Sequence, residues 1–220
     1  MCPPIDANES VLLIGPTLSG RRRLFHQMLA GVPTTPVVIA TRNTATSFRK
    51  SHQRMVDDSE ERVITEQNTD SMTSLERAEA RPREPIIIDC VTNVFDKSPT
   101  DTHATKYAQD PRNLTSIGTK FTEVISDQAD EICMVGIETI SPLLVYVDAS
   151  QVFQFVHLIQ QQTRGVGGSV VATIDPAVHD DAVVEQLVTS FDCVIRTGRD
   201  PDDGQEFCVR RPERTEWRPV

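Results

Sequence analysis

The segment that most narrows the fold is Val11-Leu12-Leu13-Ile14-Gly15-Pro16-Thr17-Leu18-Ser19-Gly20-Arg21-Arg22-Arg23-Leu24. Its apolar residues read as a buried strand, the glycine-bounded stretch as a loop, and the arginines as the first turn of a helix. Strand, GxxxxG loop and helix form the frame of a phosphate-binding loop, in which Lys and then Ser or Thr follow the second glycine. Gly15 and Gly20 keep that spacing, but Arg21 and Arg22 stand in the Lys and Ser/Thr places. Backbone N–H groups and a helix N-terminus can still surround a phosphate, because they need only the frame. The candidate nucleotide-binding residues are therefore Gly15, Pro16, Thr17, Leu18, Ser19, Gly20, Arg21 and Arg22. A guanidinium is larger and planar where an ammonium is compact, so Arg21 would meet a phosphate differently. Arg22 also removes the hydroxyl expected to hold magnesium, which Ser19 or Thr17 could replace only from another place. ATP or ADP is thus the cofactor expected here, with Mg2+ in doubt. No catalytic residue and no metal ligand is assigned.

Arg21, Arg22 and Arg23 put three cations on the positive end of a helix dipole, each unfavourable by about 0.3–1 kcal/mol. A bound anion would reverse that sign. The alternative is that all three side chains point into solvent.

Apolar runs alternate with helical patterns along the chain, which predicts an α/β fold with a mainly parallel sheet flanked by helices. Strands are expected at 11–15, 36–40, 85–91, 131–138 and 170–174. Helices are expected at 21–30, 43–56 (opened by Asn43 or Thr44), about 116–127, 150–164 and 180–190. Residues 191–197 and 206–211 read as a C-terminal β-hairpin around Asp200–Gly204. The length, 220 residues, suits one domain over 1–220. Within it the polar stretches 57–84 and 96–112 read as mobile insertions.

Asp and Glu number 32 against 22 Lys and Arg, a net charge of −10, and only Lys50, Lys97, Lys106 and Lys120 are lysines. Such an acidic, Lys-poor surface matches proteins of salt-accumulating haloarchaea, where molar salt shortens the Debye length to about 3 Å. An ordinary acidic cytosolic protein is the other reading. Either one disfavours a broad nucleic-acid face, which depends on clustered cations. With no long apolar run and no leader-like N-terminus, neither a membrane span nor export is expected, and the location is taken as cytoplasmic. The five cysteines lack CxxC spacing, and Cys90, Cys133 and Cys193 lie in apolar runs as small hydrophobes.

Several segments resemble a family. Asp110-Pro111-Arg112-Asn113-Leu114-Thr115-Ser116-Ile117-Gly118 and Glu138-Thr139-Ile140-Ser141-Pro142-Leu143-Leu144-Val145-Tyr146-Val147-Asp148 are similar to RecA/KaiC-like proteins of the P-loop NTPase superfamily, in a haloarchaeal branch with degenerate Walker motifs. Val152–His157, Thr173–Asp180 and Phe191-Asp192 continue the resemblance. It implies a RecA-like fold and places Glu138 and Thr139 at the Walker B position. Such enzymes carry a water-activating glutamate after the second strand, where this chain has Thr41-Arg42-Asn43. Asp89 is either a stand-in for it or a cap on the following turn. Arg164–Gly168 falls where relatives place a mobile loop near nucleotide or DNA, or is a plain connection. With these positions altered together, the resemblance implies a regulatory or scaffold pseudo-ATPase, with a protein partner or self-association. The alternatives are an active but atypical ATPase and, third, a recombinase-like protein binding single-stranded DNA.

Overall fold

A strand buried on both faces writes a continuous apolar run, and a parallel sheet between two helix layers buries every strand that way. Val11-Leu12-Leu13-Ile14 is such a run, and the fold divides it by period two. In the computed structural model, which describes residues 8–66, 83–95, 99–128, 134–200, 204–210 and 218–219, Leu12 and Ile14 pack into one core and Val11 and Leu13 into another.

The strands are β1 (Ser10–Ile14), β2 (Val37–Ala40), β3 (Ile86–Asp89), β4 (Thr105–Tyr107), β5 (Met134–Ile137), β6 (Ser169–Ile174), β7 (Cys193–Asp200), β8 (Gly204–Arg210) and β9 (Arg218–Pro219). They form one sheet in the order β4-β3-β2-β5-β6-β1-β7-β8-β9. Pairing is parallel from β4 to β7 and antiparallel for β7–β8 and β8–β9. The helices are α1 (Arg21–Ala30), α2 (Ala45–Glu66), α3 (Leu114–Asp127), α4 (Ser141–Tyr146), α5 (Ala149–Gly165) and α6 (Asp181–Thr189). Leu24 and Phe25 of α1 and Phe48 of α2 cover one face; Ile117 and Phe121 of α3, Val152 of α5 and Leu187 of α6 cover the other. Gly136 of β5 is required by this packing, because a Cβ there would lie 2.8 Å from Phe25 Cζ and 3.1 Å from Leu29 Cδ2.

The α/β sheet and the C-terminal hairpin match the sequence expectation, while the end of α2 and an added edge strand differ. α2 runs to Glu66, ten residues beyond the expected end, through the run 57–62, which offers no apolar residue from which a sequence reading could extend the helix. Thr44 is its cap, with Oγ1 accepting from Ser47 N at 3.3 Å. Within the polar stretch 96–112, Thr105–Tyr107 forms edge strand β4, too short to register as an apolar run. Residues 67–82, 96–98, 129–133 and 201–203 lie outside the described residues, and with them most of the first insertion, Cys133 and the hairpin tip. Cys90, Cys193 and Cys208 are buried and stand outside any disulfide among the described residues.

Two imidazoles are buried where α1 meets α2. His26 Nδ1 lies 3.0 Å from His52 Nδ1, so one ring carries its proton on Nδ1 and the other accepts. Phe48 stacks on His52 at an interplanar angle of 15°. Burial depresses both imidazoles, His26 to about 3, with the charges of His52 and Arg22 adding to the effect on His26. The folded state therefore refuses a proton that the unfolded chain accepts below its ordinary value of about 6.5. Stability is full above that pH and drains away as pH falls toward 3. Between pH 7 and pH 5, His26 alone should cost about 2 kcal/mol. Chemical denaturation at the two pH values checks this, with a His26→Phe/His52→Phe double variant expected to be nearly flat across the interval. A wild type equally stable at both would mean that the rings are hydrated.

Candidate functional site

Parallel pairing puts the C-terminal ends of seven strands on one edge of the sheet, where α/β proteins bind ligands. The glycine-bounded loop leaves that edge from β1, between β6 and β7. Two left-handed residues shape it, Leu18 at φ 68° and Gly20 at φ 86°, and Ser19 N donates to Pro16 O at 3.3 Å. Leu24 N then bonds Gly20 O at 2.9 Å, which starts α1.

The loop's side chains are engaged from within. Arg21 does not reach outward from the helix. Its Nη1 donates to the carbonyl oxygens of Gly15 and Ile174, and its Nη2 lies 3.5 Å from Asp175 Oδ2. Thr17 Oγ1 donates to the same carboxylate oxygen at 3.1 Å. Burial lowers the Arg21 pKa and the Asp175 charge raises it, while nearby Arg42 lowers it further. A guanidinium stays protonated through such shifts, so this is a fixed positive charge beneath the loop. Ser19 is buried, its Oγ 2.6 Å from Thr197 Oγ1 on β7, and Thr197 Oγ1 in turn donates to Ile14 O at 3.3 Å. Neither loop hydroxyl is thereby left as a ready metal ligand. Arg22 is exposed.

Glu138 follows β5 and is 9 % exposed. Its Oε2 accepts from the backbone N–H groups of Arg42 and Asn43, each at 3.1 Å, and its Oε1 from Asn43 Nδ2. Burial raises its pKa, opposed by the Asn43 side chain, these two N–H groups and the Arg22 charge. Thr139 is also turned inward. Its Oγ1 accepts from Ser141 N at 3.3 Å, and its carbonyl accepts from Thr41 Oγ1 at 2.6 Å. The Walker B-like pair thus clasps the turn after β2, the place where an ATPase would keep its glutamate.

Asp89 resolves as a tie. It is 1 % exposed and accepts from Ala45 N, Val91 N, Thr92 N and Thr92 Oγ1 at 2.6–2.8 Å. Arg164–Gly168 lies at the opposite edge: Arg164 bonds Asn8 O, Ser10 Oγ and Asp192 Oδ2, beside the starts of β1 and β7. It is a connection remote from the loop. Among the described residues, no three His, Cys, Asp or Glu side chains gather as a metal-binding group, and no helix is long and apolar enough to cross a membrane.

Sequence reasoning missed Asp175, Thr197 and Asn43 as partners of the loop and of Glu138. Asp175 and Thr197 are about 150 to 180 residues from the groups they bind, so only the β6-β1-β7 pairing brings them together. A carboxylate directly after a buried strand was the one available signal for Asp175.

Three solved structures share this fold. The flagellar accessory protein FlaH from Methanocaldococcus jannaschii is 14% identical, with 94% of this chain and 78% of that chain covered and a TM-score of 0.52. The uncharacterized protein PH0321 from Pyrococcus horikoshii, in complex with an unknown peptide, is 10% identical over 94% and 84% with a TM-score of 0.62. The KaiC-like protein PH0186 from Pyrococcus horikoshii OT3 is 12% identical over 97% and 83% with a TM-score of 0.57. At such identities the likeness is one of fold, and the fold is RecA/KaiC-like. None of the curated proteins matches the chain. The model of a family of unknown function, DUF7504, matches residues 8–197, and the chain belongs to that family.

Proposed function

We propose that this chain is a single-domain, cytoplasmic RecA-like scaffold or regulatory protein, a pseudo-ATPase with degenerate Walker motifs that works by binding a protein partner. The observation that carries the reading is the inward engagement of Arg21, whose guanidinium serves the carbonyls of Gly15 and Ile174 and the carboxylate of Asp175. Phosphoryl transfer relies on charge and metal placed around the γ-phosphate. Here the charge is spent beneath the loop, and the Ser19 hydroxyl, Glu138 and Asp89 each serve a structural contact. These residues do not fit a magnesium-nucleotide. Any ATP or ADP that Gly15–Arg22 retains would be held by backbone N–H groups, independently of metal. The name of FlaH, an accessory protein, and the peptide bound to PH0321 favour a partner-binding role on the same fold. The acidic, Lys-poor composition favours a haloarchaeal setting, so assays belong at high KCl.

Phosphate release from ATP with Mg2+ should match buffer for the wild type and for Glu138→Gln alike. Calorimetric titration with ATP should give the same heat with and without Mg2+. Metal-dependent release that disappears in Glu138→Gln would restore the ATPase reading.

A further inference from the structure

Six of the seven large apolar side chains exposed among the described residues lie on the edge that carries the loop: Leu18, Val94, Phe95, Val145, Tyr146 and Val178. Leu18 follows β1, Val178 follows β6, and Val145 and Tyr146 follow β5, three strands consecutive in the sheet. Val94 and Phe95 follow β3, with β2 between β3 and β5. Exposed apolar residues scattered singly need no explanation, but a row of them along one edge does.

Exposed arginines interrupt the row. Arg42 follows β2, between the Tyr146 and Phe95 positions, and Arg22 follows Leu18. Among the described residues, neither forms an ion pair. Among the described residues, four carboxylates on this edge are engaged: Glu138 and Asp89 are buried in hydrogen bonds, Asp175 faces Arg21, and Asp110 pairs with Arg112. Exposed Asp148 and Asp180 stand at the starts of α5 and α6, Asp180 beside Val178, so the unpaired positive charge of the row sits at its β1 and β2 positions.

We infer that this edge docks a linear protein segment in which apolar residues alternate with carboxylates. The inference rests on the scaffold reading and names the class of partner. From β3 to β1 the row spans four strand spacings, about 19 Å, which an extended segment of about six residues covers. The apolar side chains would cover Leu18, Val178, Tyr146 and Phe95, while the carboxylates meet Arg22 and Arg42. Charge favours a short segment over larger occupants. A segment can set its carboxylates at the β1 and β2 positions, against Arg22 and Arg42, whereas a second copy or an anionic lipid surface meets the net −10 of the whole chain.

Fluorescein-labelled peptides of four Leu-Glu-Glu-Phe repeats and of four Leu-Lys-Lys-Phe repeats, titrated in 0.5 M KCl, test this by anisotropy. The acidic peptide should bind at least tenfold more tightly. Leu18→Asp/Val178→Asp should weaken it at least tenfold, and Arg22→Glu/Arg42→Glu should invert the preference. These positions are exposed, so melting temperatures should hold; if the first pair melts early, Val145→Asp replaces it. Equal affinity for both peptides or no binding of either overturns the inference. So does a doubling of mass in solution that Leu18→Asp abolishes, or co-sedimentation with phosphatidylglycerol vesicles. Phosphate release from the same samples tests the scaffold reading separately: ATP turnover with peptide discrimination sinks only that reading, and the converse sinks only the docking edge.

Discussion

Gly15→Ala is expected to lower the melting temperature by roughly 10 °C, the equivalent of about 4 kcal/mol for a chain of this size. A Cβ at this position would lie 2.0 Å from Thr197 Oγ1, 2.6 Å from Ser19 Oγ and 2.6 Å from Thr197 O. The hydroxyls could rotate aside only by breaking the buried chain Ser19–Thr197–Ile14 O, and each such loss costs about 1–3 kcal/mol. The backbone oxygen cannot rotate, so β7 must move from β1, and overpacking of this kind costs about 1–3 kcal/mol more. Thr197→Ala in the Gly15→Ala background should recover only part of the loss, because it clears the hydroxyl and leaves the carbonyl. Thermal melts of the three proteins decide the matter; a single Gly15→Ala variant melting within about 2 °C of wild type would refute the close approach. The result bears on the loop as well as on stability: the missing Cβ of Gly15 lets Thr197 and Ser19 close inward on the point where the loop leaves β1.

That inward turn marks the limit of what the sequence could tell. The runs at Val11–Ile14, Val37–Ala40, Ile86–Asp89 and Val170–Ile174 announce strands because both faces of each are buried, and the glycine spacing announces the loop. Thr105-Lys106-Tyr107 announces nothing: at the sheet edge only Thr105 of the three is buried. The α4 segment carries part of the family resemblance but no helical signal, since six residues give too few turns to show a period. The site was legible in position and illegible in direction. Spacing places Arg21 at the head of α1 whether its guanidinium points out to a phosphate or back to Ile174 O. The choice is made by Asp175, which enters only when β6 pairs with β1. Glu138 follows the same logic, because its partners at Arg42 and Asn43 leave β2, the strand beside β5.

Asp89 carries the second large effect, and it separates a residue that ties the fold from one that activates water. Its carboxylate accepts four hydrogen bonds, three from backbone N–H groups and one from the Thr92 hydroxyl. The bond from Ala45 N satisfies a donor in the first turn of α2, where the helix has no carbonyl of its own to offer and where a negative charge meets the positive end of the dipole. Asp89→Ala leaves these donors buried without an acceptor and should cost about 4 kcal/mol, lowering the melting temperature by about 8–16 °C. Asp89→Asn keeps one oxygen but turns an amide N–H2 toward the remaining donors, so about half that loss is expected. A water-activating carboxylate would behave in the opposite way: its amide variant would fold normally and lose only turnover. Parallel melts and phosphate-release assays on both variants distinguish the two. A thermally normal Asp89→Asn protein that has lost ATP cleavage seen in wild type would return Asp89 to the chemistry of the site. Early melting with no cleavage to lose in any of the three proteins leaves it as the bond between β3 and the start of α2.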